Sequence, residues 1–340
     1  MALSLYILRR LLLAAVVLAS LSVVTFTIAR VVPSDPAALY AGQRARAEQI
    51  AAAREKLGLD RPLYRQYLDF MRDALRGDFG ISFKTKRPIL QDILILLPAT
   101  LELVIASTLL AFVIGIPAGV WAAAKAGGGF DQASRIIAIA GVSVPAFWLA
   151  LMLQLLFFRW LGWLPLSGRV ANDTALFNPI QPITGFFLLD AALTGNWRAG
   201  GDAAWHLALP ALTLAAYPVG LTLRMTRATM REVLREQYIV TARAQGFPEA
   251  LILFRYALKN ALAPTLTVLG LTLAYSLTGA VLVEVIFAWP GLGRYLTEAV
   301  LGVDFPVIVA VTLIVTVFYV LIHLIVDLLQ AMLDPRVVLR

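Results

Sequence analysis

Residues 238–264 read YIVTARAQGFPEALILFRYALKNALAP, a basic stretch of helical sequence broken by Gly-Phe-Pro and set between two long hydrophobic spans. A helix carrying Thr241, Ala242, Arg243 and Gln245 is expected to stop at Gly246, because glycine alone enters the left-handed conformation past a helix end without steric penalty. Pro248 then opens a second helix, since proline is favoured at helix starts. The spacing predicts two helices meeting at an angle, the second short and lateral over 247–254. Such an elbow projects from its bundle. Its apolar residues Leu251, Ile252, Leu253 and Phe254 are expected to need a groove on another molecule.

The flanks say where the elbow sits. Of the chain's 340 residues, 60% are hydrophobic and 15% charged, with mean hydropathy +0.80, whereas soluble domains run nearer half apolar and a quarter charged. The fold class is all-α integral membrane. Stretches near 9–31, 99–124, 134–160, 205–223, 264–288 and 306–331 reach the ~20 apolar residues that cross the hydrocarbon as a helix. The first is longer than a secretory h-region and reads as a retained span. With the amino terminus inside, six spans return the carboxyl terminus inside, and thirteen basic residues in the short inside loops and tails face three outside, Arg169, Arg198 and Arg294, as the positive-inside rule requires. The net charge of +8 is therefore topological, and no nucleic-acid partner is implied. Residues 32–98, too long for that rule, fall outside by helix counting.

Several chemistries are excluded. The chain has no cysteine, so disulfides and iron–sulfur ligation are ruled out. It has no Gly-Lys pair, hence no P-loop for ATP, and no H-E-x-x-H or nucleophile elbow. His206 and His323 are far apart and form no metal-ligand cluster. The chain is expected to be no enzyme, with no catalytic residue, metal or cofactor of its own.

Charges at membrane depth are costly and mark function or pairing. Glu102 reads as a helix-start carboxylate after Pro98, favoured by the dipole. Glu284 stands without local partners among valines and isoleucine, equally suited to lining a pore or to a salt bridge. His323 and Asp327 have the i, i+4 spacing of a local pair. Gly115 and Gly119 form a G-x-x-x-G that permits close helix approach, with Pro117 bending the span. Ser143-Val-Pro145-Ala-Phe147-Trp148 kinks the third span. With Glu284, these four kink residues are the candidate pathway.

The residues also resemble a family. TARAQG followed by a short helix is similar to the EAA loop of binding-protein-dependent ABC importer permeases, in the variant of the oligopeptide and dipeptide branch. The EAA glutamate falls on Val240 and its alanines on Thr241 and Ala242, with the glycine on Gly246. The resemblance extends through ILRRLL (7–12), VPSDP (32–36), LGLDRPLYRQYLDF (57–70), GDFGISF (77–83), PATLEL (98–103), WLPLSGR (163–169), NPIQPITGFFLLD (178–190), HLALPALTL (206–214), RMTRATMREVL (224–234) and VEVIFAWPGLGR (283–294). It is nearest the first, B-type, dipeptide permease subunit.

The resemblance implies a type I ABC importer permease fold of the bacterial cytoplasmic membrane. Residues 1–98 would hold the first span and a periplasmic segment; 99–333 would hold a five-helix core with a cytoplasmic coupling loop over 224–263. It implies a homologous second permease as heterodimer partner, two cytoplasmic ATPase subunits that bind ATP and Mg, an extracytoplasmic solute-binding protein, and peptide cargo. Glutathione, nickel complexes, opines or haem are alternatives within the branch. The ATPase contact would be Thr241, Ala242, Arg243, Gly246, Phe247, Pro248, Glu249, Ala250, Leu251 and Phe254. The competing reading is a secondary transporter or channel, which would need paired intramembrane carboxylates or unwound half-helices.

Overall fold

The computed structural model describes residues 2–31, 36–42 and 45–333, and among them secondary structure is helical apart from one isolated bridge between Ile81 and Pro88. The elements are α1 (Ala2–Val31), α2 (Pro36–Ala41), α3 (Ala47–Lys56), α4 (Leu63–Ala74), α5 (Ile89–Ala124), α6 (Gly129–Ser143), α7 (Ala146–Trp160), α8 (Asn172–Phe177), α9 (Phe187–Leu193), α10 (Trp197–Val233), α11 (Gln237–Ala244), α12 (Glu249–Ile286), α13 (Leu292–Leu301) and α14 (Phe305–Leu333). Five of them, α1, α5, α10, α12 and α14, are long and apolar enough to cross a membrane. The pair α6–α7 makes a sixth if counted as one broken span.

Three boundaries differ from the sequence expectation. The second span starts at Ile89 rather than 99, with Pro98 inside the helix; Ile89 and Ile93 extend it because they pack on Leu292, Val307 and Val311. The third is no mild kink: α6 and α7 turn through 112° at Val144-Pro145, where the residue before proline leaves the α region at ψ 126°. In α5 a π-helical stretch, Ala111–Gly115, lies just before Pro117. It re-registers the ladder just ahead of the missing proline N–H.

The chain divides into two compact units. The first takes the described residues of 3–98 with 291–320. Here Phe26 of α1 meets Tyr67 and Phe70 of α4 at centroid distances of 5.4 and 5.9 Å. The 78–88 loop is pinned by two buried aspartates. Asp304 accepts from Ser82 Oγ (2.7 Å) and the Lys84 amide (3.1 Å), and Asp92 accepts from Thr85 Oγ1 (2.7 Å) and Tyr295 OH (3.1 Å). Burial, then the Asp92 charge, raises the Tyr295 phenol above its ordinary value.

The second unit takes 99–290 with the end of α14 from residue 321. Its central post is α10, against which α5, α6, α7 and α12 pack. Small residues set the spacing. A Cβ on Gly119 would fall 2.6 Å from Thr226 Cβ, and one on Gly220 would fall 2.7 Å from the Ala138 carbonyl, so these helices meet backbone to backbone. The side chain of Asp327, expected to pair with His323, lies outside the described residues, as do Arg336 and Arg340.

Candidate functional site

The elbow forms where the sequence places it. Gly246 takes φ +78°. Its amide donates to the Arg243 carbonyl (3.0 Å) and the Phe247 amide to the Ala242 carbonyl (3.2 Å), the two bonds of a Schellman helix end. Pro248 sits at the N-cap rather than inside α12. A Cβ on Gly246 would meet nothing within 4 Å, so the glycine is there for its backbone conformation and not for space.

The second helix differs from expectation. It is not a short separate rod but the first turns of the unbroken α12, which runs 38 residues from Glu249 to Ile286. At 1.5 Å per residue that is about 57 Å, nearly twice the hydrocarbon thickness, so one end stands well clear of the bilayer. A π-helical stretch, Ile252–Ala257, joins that end to the span.

Nor are all four apolar residues free for a partner. Ile252 and Leu253 are buried in a cluster with Ile239 and Ala242 of α11, Met230 of α10 and Val120 and Ala123 of α5. Leu251 is half-buried. Phe254 is 48% exposed and Phe247 40%, and the Phe247 ring leans on Tyr256 at 5.8 Å. The elbow therefore has two faces. One keys it into the C-terminal ends of α5 and α10; the other presents Phe247, Phe254, Thr241, Pro248, Glu249 and Ala250 outward, with Ala242 buried behind them.

Arg243 and Glu249, seven residues apart counting both, face each other across the turn. Arg243 Nη2 donates to Glu249 Oε1 at 2.7 Å and Nε to Oε2 at 3.2 Å, a two-pronged pair that raises the guanidinium above its ordinary value.

The expected pathway residues separate. Ser143, Pro145, Phe147 and Trp148 lie exposed around the 112° bend. Glu284 does not join them. It is fully buried and accepts a 2.6 Å hydrogen bond from Thr100 Oγ1 of α5, so it has a tertiary partner and its carboxyl lines no open surface. Glu102 also changes role. It is thirteen residues into α5, too far for the helix-start dipole, and is held by Arg169, which donates from Nη2 at 2.6 Å and Nε at 3.1 Å. The Leu188 amide donates to its other oxygen at 2.9 Å.

Other polar ties carried no signal that a sequence reading could use. Arg169 also lies 3.6 Å over the Phe187 ring; burial pulls its guanidinium below the ordinary value against the Glu102 charge. Asp190 is fully buried. Burial alone would raise its carboxyl, yet donors from Thr184 Oγ1 and the amides of 183, 184 and 185 hold it below the ordinary value. Asp131 of α6 is gripped by Arg227 of α10. Arg169 and Asp190 fall in WLPLSGR and NPIQPITGFFLLD, so the resemblance pointed at the segments without giving the side chains a role. Among the described residues no group of three or more His, Cys, Asp or Glu could hold a metal ion.

Comparison with known proteins covers nearly the whole chain. Residues 115–339 match the model of the binding-protein-dependent transport system inner membrane component, and residues 3–104 match that of its amino-terminal region. The chain is 46% identical over 321 residues, 94% of each chain, to the probable D,D-dipeptide transport system permease protein DdpB of Escherichia coli K12. It is 43% identical over 335 residues, 98% of each, to the dipeptide transport system permease protein DppB of Alkalihalophilus pseudofirmus. The glutathione transport system permease protein GsiC of E. coli K12 is 36% identical over 332 residues, 98% of each.

Proposed function

This chain belongs to the binding-protein-dependent transport system inner membrane component family and is a multi-pass permease subunit of such an importer; from that premise we propose that its cargo is a dipeptide or short peptide, that it pairs with a homologous permease, and that two ATPase subunits binding ATP and Mg drive the pair. The dipeptide relatives support the cargo. The observation that carries the coupling role is the two-faced elbow, with Phe247 and Phe254 exposed while Ile252 and Leu253 are locked to α5, α10 and α11. A helix-in-groove contact on the first face transmits motion only if its free energy differs between ATPase states. The second face carries that motion into the bundle, because a packed core moves as a body.

On this reading both termini and the elbow lie in the cytoplasm, residues 32–98 outside, and the solute-binding protein delivers peptide from that side. Substrate passes near the α6–α7 bend, past Ser143, Pro145, Phe147 and Trp148. Reconstitution tests the class: peptide uptake is expected to require ATP, both permeases, the ATPases and the binding protein. Uptake by this chain alone under a proton gradient would establish the secondary-transporter alternative instead. The cysteine-free sequence gives a clean topology test, with a cysteine at Leu75 expected to label from outside intact cells and one at Ala250 only after permeabilisation.

A further inference from the structure

Resting on the reading of residues 241–254 as the ATPase-facing segment, the geometry points to Arg243 and Glu249 as an intramolecular clasp that positions the elbow, leaving the aromatic side chains Phe247 and Phe254 to make the contact. A sequence reading would assign both charges to the partner's surface, as basic and acidic residues on an exposed loop. The structure instead spends each on the other.

Three observations carry this. The pair is two-pronged, and a guanidinium fork met by both carboxylate oxygens fixes direction as well as distance. It spans the most open point of the segment: Gly246 has nothing near its Cβ position, and residues 243–250 are all exposed. Elsewhere the segment is held by burial, through Ile239 and Ala242 before the turn and Ile252 and Leu253 after it. Without the clasp, the turn between those anchors keeps its two Schellman bonds and the lean of Phe247 on Tyr256, and glycine is the residue least able to resist rotation about its own backbone.

The clasp also accounts for the chemistry of the exposed face. With both charges turned toward each other, the exposed surface they leave includes Phe247, Pro248, Ala250 and Phe254, apolar side chains of the kind that anchor a helix in a groove. Its orientation relative to α12 is what the fork fixes. Arg243 is thus a positioning residue acting through Phe247 and Phe254 on the partner.

The test is a charge-swap cycle in the complete reconstituted importer, reading peptide imported per ATP hydrolysed, recovery of the assembled complex and its melting temperature. Arg243→Glu and Glu249→Arg are each expected to lower the import-to-ATP ratio about three- to fivefold, on the scale of one well-formed exposed ion pair, with complex recovery and melting temperature unchanged. The double swap, Arg243→Glu with Glu249→Arg, is expected to return the ratio to within about twofold of the parent, because the pair re-forms with its signs exchanged. Arg243→Lys, which keeps the charge but loses the fork, is expected to fall between. Additive or worse losses in the double swap would show that each residue meets the ATPase separately and would overturn the clasp, as would single variants with unchanged ratios. The underlying reading fails by a different readout: if Phe247→Ala with Phe254→Ala leaves ATPase binding to the permeases intact, the segment is not the ATPase contact, whatever the swap shows.

Discussion

The helices ending at Gly246 and at Ala288 close with the same pair of backbone bonds, from the residue at the left-handed position and from the one after it. At the first, Gly246 and Phe247 donate to the carbonyls of Arg243 and Ala242; at the second, Ala288 and Trp289 donate to those of Val285 and Glu284. Everything around the two turns differs. Gly246 is exposed with open space at its side-chain position, and the Arg243–Glu249 pair crosses it. Ala288 is a non-glycine residue at φ +48° in a region sealed by tertiary bonds. The Trp289 indole donates to the Ala99 carbonyl (2.9 Å), the Gly168 amide to Phe287 O (2.9 Å), and Thr100 to the Glu284 carboxylate (2.6 Å). One turn is made by residue choice and left open to a partner. The other is forced by its surroundings, which hold a side chain where the backbone resists it.

The sealed turn should therefore fail through packing and the open one through conformation. The largest effect is expected from Trp289→Ala. Trp289 is 1% exposed and among the largest fully buried side chains, and emptying such a site costs about 3–5 kcal/mol. Trp289→Phe keeps an aromatic ring but loses the hydrogen bond to the Ala99 carbonyl, for about 0.5–1.5 kcal/mol. Melting temperature and membrane yield of the complex should fall in that order. A Trp289→Ala complex as stable as the parent would erase the contrast between the turns.

Gly246→Val comes next, at about 1–2 kcal/mol, all of it the cost of putting a β-branched residue in the left-handed region. Yield should hold while peptide import collapses relative to ATP hydrolysis. Gly246→Asn tests the attribution, since asparagine tolerates that conformation; it should keep most of the import that valine loses. Equal losses for the two would mean that bulk, not backbone, is what the position excludes.

Ala288→Gly should be smaller and of opposite sense. Relief of the strained alanine, about 1–2 kcal/mol, is offset by the extra unfolded-state freedom of glycine, about 0.5–1 kcal/mol. The melting temperature should stay level or rise slightly, read on the purified complex. A clear drop would show that the Ala288 methyl group, not the turn conformation, is what matters there.

Which turn a sequence can reveal follows from the same contrast. Gly246-Phe-Pro was legible because the conformation is written in the residue itself. Ala288 was not, because alanine carries no mark of a left-handed backbone and the bonds that impose it come from residues 99, 100 and 168. Apolar length showed the spans, but Ile89 to Leu97 were missed as helix because Pro98 reads as a start when its neighbours are unknown. Elbow residues Ile252 and Leu253 were misassigned to a partner, since periodicity gives a face and not what covers it. Glu102 and Glu284 were legible as costly carboxylates; their partners Arg169 and Thr100, 67 and 184 positions away, were beyond any local pattern.

Glu284→Gln is the gentlest way to probe the sealed turn. The substitution replaces the carboxyl by an amide of the same size but keeps a carbonyl oxygen where the Thr100 hydroxyl donates, so that hydrogen bond survives. Because the residue is fully buried and lines no open surface, the change should not reach the peptide. Import rate is expected to drop modestly, through small adjustment where α5 and α12 meet, with the ranking of peptides unaltered. The check is uptake of several dipeptides of different side-chain charge by parent and variant importers carrying the same binding protein. Equal proportional losses across the set fit a carboxylate that only ties two helices together. A changed ranking would place Glu284 against the cargo, open the turn that the structure shows closed, and put selection in the permease rather than in the binding protein that delivers to it.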